Sequence, residues 1–203
     1  MVLLKNKNNM LPLDKSKKIA LIGEMAKNPR YQGAGSSHIN PPKTVSFTEA
    51  MRYEGQAFAY APGYTLKGDG YNKKLIDEAV QVAKGKDAVL LFIGLTDAFE
   101  SEGYDRTHIN MPEAHNYLIE ELAKINNNII VVTSCGSPIQ MTRWIDKVNA
   151  VLNVYLGGQA GGEATYNLLY GNVNPSGKLA ETFPFRTNDN IVANYFPMGP
   201  RQV

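Results

Sequence analysis

The residues best equipped for chemistry sit together in FESEGYDR, Phe99–Arg106, where Glu100, Glu102 and Asp105 lie beside Arg106. Carboxyl groups so close to one another and to a guanidinium are natural proton carriers, because neighbouring charges move their pKa values. The segment follows an apolar run, AVLLFIG (Ala88–Gly94), and precedes a helical pattern that opens at Pro112. A buried strand that ends in a short polar loop is where open α/β sheets bind ligands, outside the carboxyl ends of their strands. One of the glutamates is therefore a candidate general acid/base. The competing reading is a solvated turn with a local ion pair, which by itself contributes little.

A second polar loop, GAGSSHINP (Gly33–Pro41), follows the first strand pattern. It has neither the Gly-Lys-Ser/Thr of a phosphate loop nor the third glycine and immediate helix of a dinucleotide fingerprint. Its backbone-rich path leaves Ser36, Ser37 and His38 free to bond sugar hydroxyls; it reads equally well as a surface loop bent by glycine and proline. GGQAGGE (Gly157–Glu163) could offer amides to an anion at a helix start, but a tight strand-to-helix turn needing positive φ is the simpler use. TSCGSP (Thr133–Pro138) is not a nucleophile elbow, and no histidine and acid follow in the order a hydrolase triad needs. Trp144 lies in a helical pattern and reads as packing.

These loops must be positioned by a framework, and the apolar runs supply one. Strand patterns fall at Lys18–Glu24, Ala57–Tyr60, Ala88–Gly94, Asn128–Cys135 and Ala150–Leu156, with a possible further strand at Lys178–Phe183. Helical patterns fall at Thr48–Tyr53, Tyr71–Lys84, Pro112–Ile125, around Met141–Lys147, and at Glu163–Tyr170. Residues 1–17 read as irregular, and the segment after Phe185 trails off without a pattern. The strands are continuous apolar runs that alternate with helices. This implies a mostly parallel sheet covered on both faces, with a doubly wound three-layer αβα sandwich as the default under the right-handed crossover rule. No repeat or low-complexity linker divides the chain, so residues 1–203 are expected to form one domain.

The composition is that of an ordinary globular chain of 203 residues, 43% hydrophobic and 20% charged, long enough to bury roughly 70% of its unfolded surface. A net charge of +2 gives no field for nucleic acid, and no apolar run approaches the about 18 residues of a membrane span. No His or Cys pair has metal-ligand spacing, and neither a metal nor a cofactor is expected. The single cysteine, Cys135, sits in an apolar run and reads as a buried hydrophobe; it is compatible with a reducing, cytoplasmic compartment without establishing one.

Four segments, in this order, resemble the second domain of family 3 glycoside hydrolases, which include β-glucosidases and β-xylosidases: VLLKNKNNMLPL, GAGSSHINP, GLTDAFESEGYDRTHINMPEAHNYLIEEL and, most specifically, GGQAGGEATYNLLYGNVNPSGKLAETFP. The resemblance spans nearly the whole chain. It implies an α/β sandwich with a six-stranded sheet, five strands parallel and one antiparallel, excised from a larger enzyme. It also implies a barrel domain as partner, with the barrel carrying an aspartate nucleophile and this domain supplying the acid/base glutamate for retaining hydrolysis of a β-linked glucoside or oligosaccharide. By its Glu-Gly step, Glu102 matches the acid/base position, with Glu100 as the second candidate. Ser36, Ser37, His38, Asp105 and Arg106 are the candidate substrate-binding residues. A stand-alone glycan-binding or scaffold module is the alternative from another class, and a nucleotide-binding sandwich a third.

Overall fold

Seven consecutive apolar residues of one strand pattern are buried without exception, and this run, Ala88–Gly94, lies at the heart of the sheet. The computed structural model describes residues 1–190. Six strands pair in one sheet: β1 (Val2–Asn6), β2 (Ile19–Ile22), β3 (Phe58–Ala61), β4 (Ala88–Gly94), β5 (Ile129–Ser134) and β6 (Ala150–Asn153), in the spatial order β1-β6-β5-β4-β2-β3. β2 through β6 are parallel and β1 runs antiparallel to β6. The fold is thus the α/β sheet expected, with five parallel strands and one antiparallel.

Among the described residues, three α-helices connect strands, α1 (Phe47–Tyr53), α2 (Lys73–Ala83) and α3 (Glu113–Ala123), and a fourth, α4 (Gly161–Leu169), follows β6. Helices α1 and α4 pack against each other, as do α2 and α3. All residues of β2, β4, β5 and β6 are buried, which requires cover on both faces and explains why these runs do not alternate. Two of the helix starts are capped by side chains. Ser46 caps α1 in a reciprocal capping box with Glu49, and Asn72 Oδ1 accepts from the Lys74 and Leu75 amides at the start of α2.

Two sequence expectations are corrected. The sixth strand is not Lys178–Phe183, which is mostly exposed and unpaired with the sheet, but Val2–Asn6 in the segment read as irregular. The helix expected around Met141–Lys147 contracts to a single 3₁₀ turn at Ile145–Lys147, beside a fully buried Trp144. The glycines of GGQAGGE do turn the chain: Gly158 has φ +70°, and a Cβ at Gly162 would collide with the Ser46 backbone, so α4 starts in close contact with the start of α1. Past Phe185 the chain makes a 3₁₀ turn at Thr187–Asp189, and the rest of the tail lies outside the described residues.

Buried polar residues tie α3 to the sheet. His115 packs its ring edge-on to Tyr64 at 4.2 Å, while the Tyr64 hydroxyl donates to the Phe92 carbonyl (2.8 Å) and accepts from the Met25 amide (3.2 Å). Burial pushes the His115 pKa from 6.5 down to about 3, against a smaller opposing effect of its bond to the Gly94 backbone. The unfolded chain therefore takes up this proton first as pH falls. The stability His115 allows is complete above pH 6.5 and is lost progressively toward pH 3, by up to about 1.4 kcal/mol per pH unit. Urea denaturation of the wild-type chain and of His115→Phe should show it: between pH 6.5 and 5 the variant is expected to lose less stability than the wild type. Equal slopes would place the proton-uptake site elsewhere.

Candidate active site at the β2–β4 crevice

The winding of the sheet selects the site. From β2 the chain crosses one way to β3, then returns past β2 to lay down β4, β5 and β6 on its other side. Strands β2 and β4 are hydrogen-bonded neighbours, with Ile22 opposite Leu91, and the direction of winding reverses between them. Connections leaving two such strands diverge and open a crevice at their carboxyl ends. The two connections here are the glycine–serine loop after β2 and the acidic loop after β4, the two segments singled out by sequence.

The acidic loop is a short hairpin. Phe99 and Glu100 donate their amides to the Thr96 carbonyl, closing a turn directly beyond the strand. Ser101 and Tyr104 then form an antiparallel bridge that places Glu102 and Gly103 at the tip, and the Tyr104 hydroxyl donates to the Asp97 carbonyl to brace the stem. Opposite, Gly35–Ser37 forms a single 3₁₀ turn. The Ser36 amide donates to Glu102 Oε2 at 2.9 Å, and the Ser36 hydroxyl donates to the same oxygen. Gly35 makes this approach possible: its φ is +77°, and a Cβ there would lie 3.1 Å from Glu102 Oε2 and 3.2 Å from Glu102 Cβ.

The two glutamates have opposite surroundings. Glu102 is exposed, and one of its carboxyl oxygens receives both Ser36 donors. The Glu100 side chain is only 12% exposed and spends both oxygens inward: Oε1 accepts from Arg30 Nη1 (2.6 Å) and the Gly136 amide (2.5 Å), and Oε2 from the Ser137 hydroxyl (2.9 Å). The Glu102 carboxyl is held below the usual range by the Ser36 hydroxyl and then the Ser36 amide, which bond the charged form. This is the reverse of the raised pKa that a general acid needs near neutral pH. In this chain the Ser36 donors favour Glu102 as a carboxylate.

Of the other candidates, Ser36 and Glu102 meet directly. The Ser37 hydroxyl turns back to the Ala34 carbonyl (3.1 Å). His38 is half-exposed, 4.0 Å from Asp97, on the wall of an open groove also lined by Arg30, Tyr31, Gln32 and Asn40. Asp105 is exposed beside the tip. Arg106 points away from the tip, donating to the Ser137 hydroxyl (2.8 Å), the Pro138 carbonyl (2.9 Å) and the Asn110 carbonyl (3.4 Å). Sequence reasoning passed over Arg30. The available signal was charge: it is the only Lys or Arg between Lys27 and Lys43, and it faces a loop holding three carboxylates.

Cys135 is buried, and burial followed by the nearby Glu100 charge pushes its thiol up to about 12, so it has no thiolate to offer at neutral pH. Among the described residues no group of three His, Cys, Asp or Glu side chains is placed to hold a metal ion, and no helix is long and apolar enough to cross a membrane. A larger open groove, lined by Lys7, Tyr117, Glu120, Lys124 and Lys147 among others, adjoins the amino ends of β5 and β6, away from this crevice.

Residues 1–201 match the family model for the glycosyl hydrolase family 3 C-terminal domain, and the chain belongs to that family. It is 50% identical over 200 residues to thermostable beta-glucosidase B of Acetivibrio thermocellus, a match covering 97% of this chain and 26% of that protein. It is 43% identical over 198 residues to an exo-alpha-(1->6)-L-arabinopyranosidase of Bifidobacterium longum, covering 93% and 26%. The crystal structure of a GH3 beta-glucosidase from Bifidobacterium adolescentis superposes with a TM-score of 0.93 at 44% identity, over 97% of this chain and 29% of that one. The chain thus spans about a quarter of the length of the curated relatives it matches.

If Ser36 sets the protonation of Glu102, the effect is visible by NMR. In the 203-residue chain the Glu102 carboxyl is expected to titrate below 4.5, and Ser36→Ala should move its midpoint upward. A midpoint that stays put in Ser36→Ala would assign the depression to another group.

Proposed function

We propose that this chain is the sandwich portion of a retaining β-glycosidase of β-glucosidase type, and that Glu102 is its general acid/base. On this reading the active site is shared. A barrel domain supplies an aspartate nucleophile, and the hairpin beyond β4 carries Glu102 across to the glycosidic oxygen. The observation that carries the reading is the contrast at the crevice: Glu102 stands exposed at the hairpin tip, while both oxygens of Glu100 are consumed by Arg30, Gly136 and Ser137. A group that must give a proton to a bound sugar has to reach out, and Glu102 alone of the two does. The beta-glucosidase and arabinopyranosidase names of the relatives support glycoside hydrolysis, and their difference keeps the identity of the sugar open.

The chemistry follows from the environment. Retaining hydrolysis needs the acid protonated while the nucleophile attacks, then ionised so that it can draw a proton from the attacking water. In the chain alone the Ser36 donors favour the second state. Cover by a partner domain and substrate strips water from the carboxyl and raises its pKa, which favours the first. Removal of the oxyanion-favouring bonds is not required; desolvation acts on the same oxygens against them. The Ser36 contact then serves the deglycosylation half-reaction, where the base form acts.

Two arms test the reading. The 203-residue chain by itself is expected to release no phenol from aryl β-D-glucosides, since on this reading a barrel domain supplies the nucleophile. In the full-length protein, Glu102→Ala should cost roughly 100-fold or more on phenyl β-D-glucoside and far less on the 2,4-dinitrophenyl glucoside in its glycosylation step, because an activated phenol leaves without a proton. Turnover by the chain alone, or equal losses on both substrates, would contradict the assignment.

A further inference from the structure

We propose that Arg30 is a positioning residue for the Glu102 acid/base, with Glu100 as its anchor; this rests on the reading of Glu102 just given. The Arg30 side chain is only 9% exposed, although it belongs to the long loop after β2. Its guanidinium reaches across to the stem of the acidic hairpin at several points. Nη1 donates to the Leu95 carbonyl (3.1 Å) and to Glu100 Oε1 (2.6 Å), Nη2 donates to the Glu100 carbonyl (3.2 Å), and Nε lies 3.3 Å from Asp97 Oδ1. One planar group thus holds backbone and side chain of the same stem, from its first residue to the one before the bridge at Ser101.

Glu100 carries the restraint onward. Through the Gly136 amide and the Ser137 hydroxyl it ties the stem to the connection after β5, and Arg106 binds Ser137 and Pro138 from the far side of the hairpin. The hairpin is therefore fastened below its tip to the connections that leave β2 and β5, and the tip itself is met by the Ser36 donors. Arg30 stands six residues before Ser36, and Glu100 two before Glu102, so the pair sets the distance at which the Ser36 donors meet the Glu102 carboxylate. A fork of fixed geometry is suited to this task, and an ammonium on a flexible stem cannot reproduce it. Neither charge touches the reacting atoms on this reading; they act through where Glu102 is held.

The test uses the full-length protein and aryl β-D-glucosides running from 2,4-dinitrophenyl to phenyl. Deleting one member of a buried pair leaves an uncompensated charge and risks unfolding. The informative variants are therefore Arg30→Lys, which keeps the charge but not the fork, and the neutral pair Arg30→Met with Glu100→Gln. Both are expected to fold with cooperative melting. In both, kcat/KM on the phenyl glucoside should fall about tenfold or more, as a displacement of roughly 1 Å at a catalytic group produces, while the dinitrophenyl glucoside changes less than about threefold. The plot of rate against leaving-group acidity steepens in the same sense as for Glu102→Ala. A loss equal across all leaving groups, or no loss, in variants that melt cooperatively would overturn the positioning role. The two assignments separate cleanly. If Glu102→Ala shows leaving-group dependence and the Arg30 variants do not, only this inference falls. If Glu102→Ala shows none, the acid/base reading falls first.

Discussion

The reversal of winding between β2 and β4 is the constraint on which the site depends. A parallel sheet built outward in both directions from one pair of adjacent strands must send their two following connections apart, and the gap they leave is open at the carboxyl edge. In this chain the pair is held by continuous apolar pairing, Ile19–Ile22 against Ala88–Leu91, buried throughout. What remains is to stop the two connections from splaying. The Arg30–Glu100 pair joins them, and its burial lets a guanidinium and a carboxylate hold fixed geometry instead of fluctuating as a surface pair would.

Two carboxylates separated by a single serine thus come to do different work. Glu100 faces amide, hydroxyl and guanidinium donors within the fold; Glu102 projects from a hairpin closed by the Ser101–Tyr104 bridge and meets donors of the glycine–serine loop, Ser36 first. The difference is one of position along a tight turn: residues at its stem point back to the sheet and residues at its tip do not. On the proposed reading the loop is rigid and reactive together, because the rigid contacts of Glu100 and the acid/base Glu102 belong to alternate residues.

Much of this was legible in the sequence, and the exceptions have physical causes. AVLLFIG, NIIVVTSC and AVLNVYL announce β4, β5 and β6 because a strand buried on both faces must be apolar without interruption. β1 was hidden because an edge strand buries little: only Val2 of VLLKN is fully covered, and the lysines and asparagines that follow dilute the pattern. Lys178–Phe183 stays outside the sheet, and the place beside β6 is taken by β1. At the site, the acidic loop and the glycine–serine loop were both evident from residue type. Their contact through Ser36 and the burial of Arg30 were not, because they depend on β2 and β4 being neighbours, which no local pattern encodes. The depression of the Glu102 pKa was missed for the same reason: nearby charges were visible along the chain, and the Ser36 donors were 66 residues away.

The most direct test of a donated acid/base is geometric. A crystal structure of the full-length protein with a 2-deoxy-2-fluoro glycosyl group trapped on its nucleophile would show where Glu102 stands. The account predicts the Glu102 carboxyl about 5–5.5 Å from the carboxyl group of that nucleophile, on the side the leaving group departs from. A Glu102 out of reach of the sugar, with another carboxyl in its place, would contradict it.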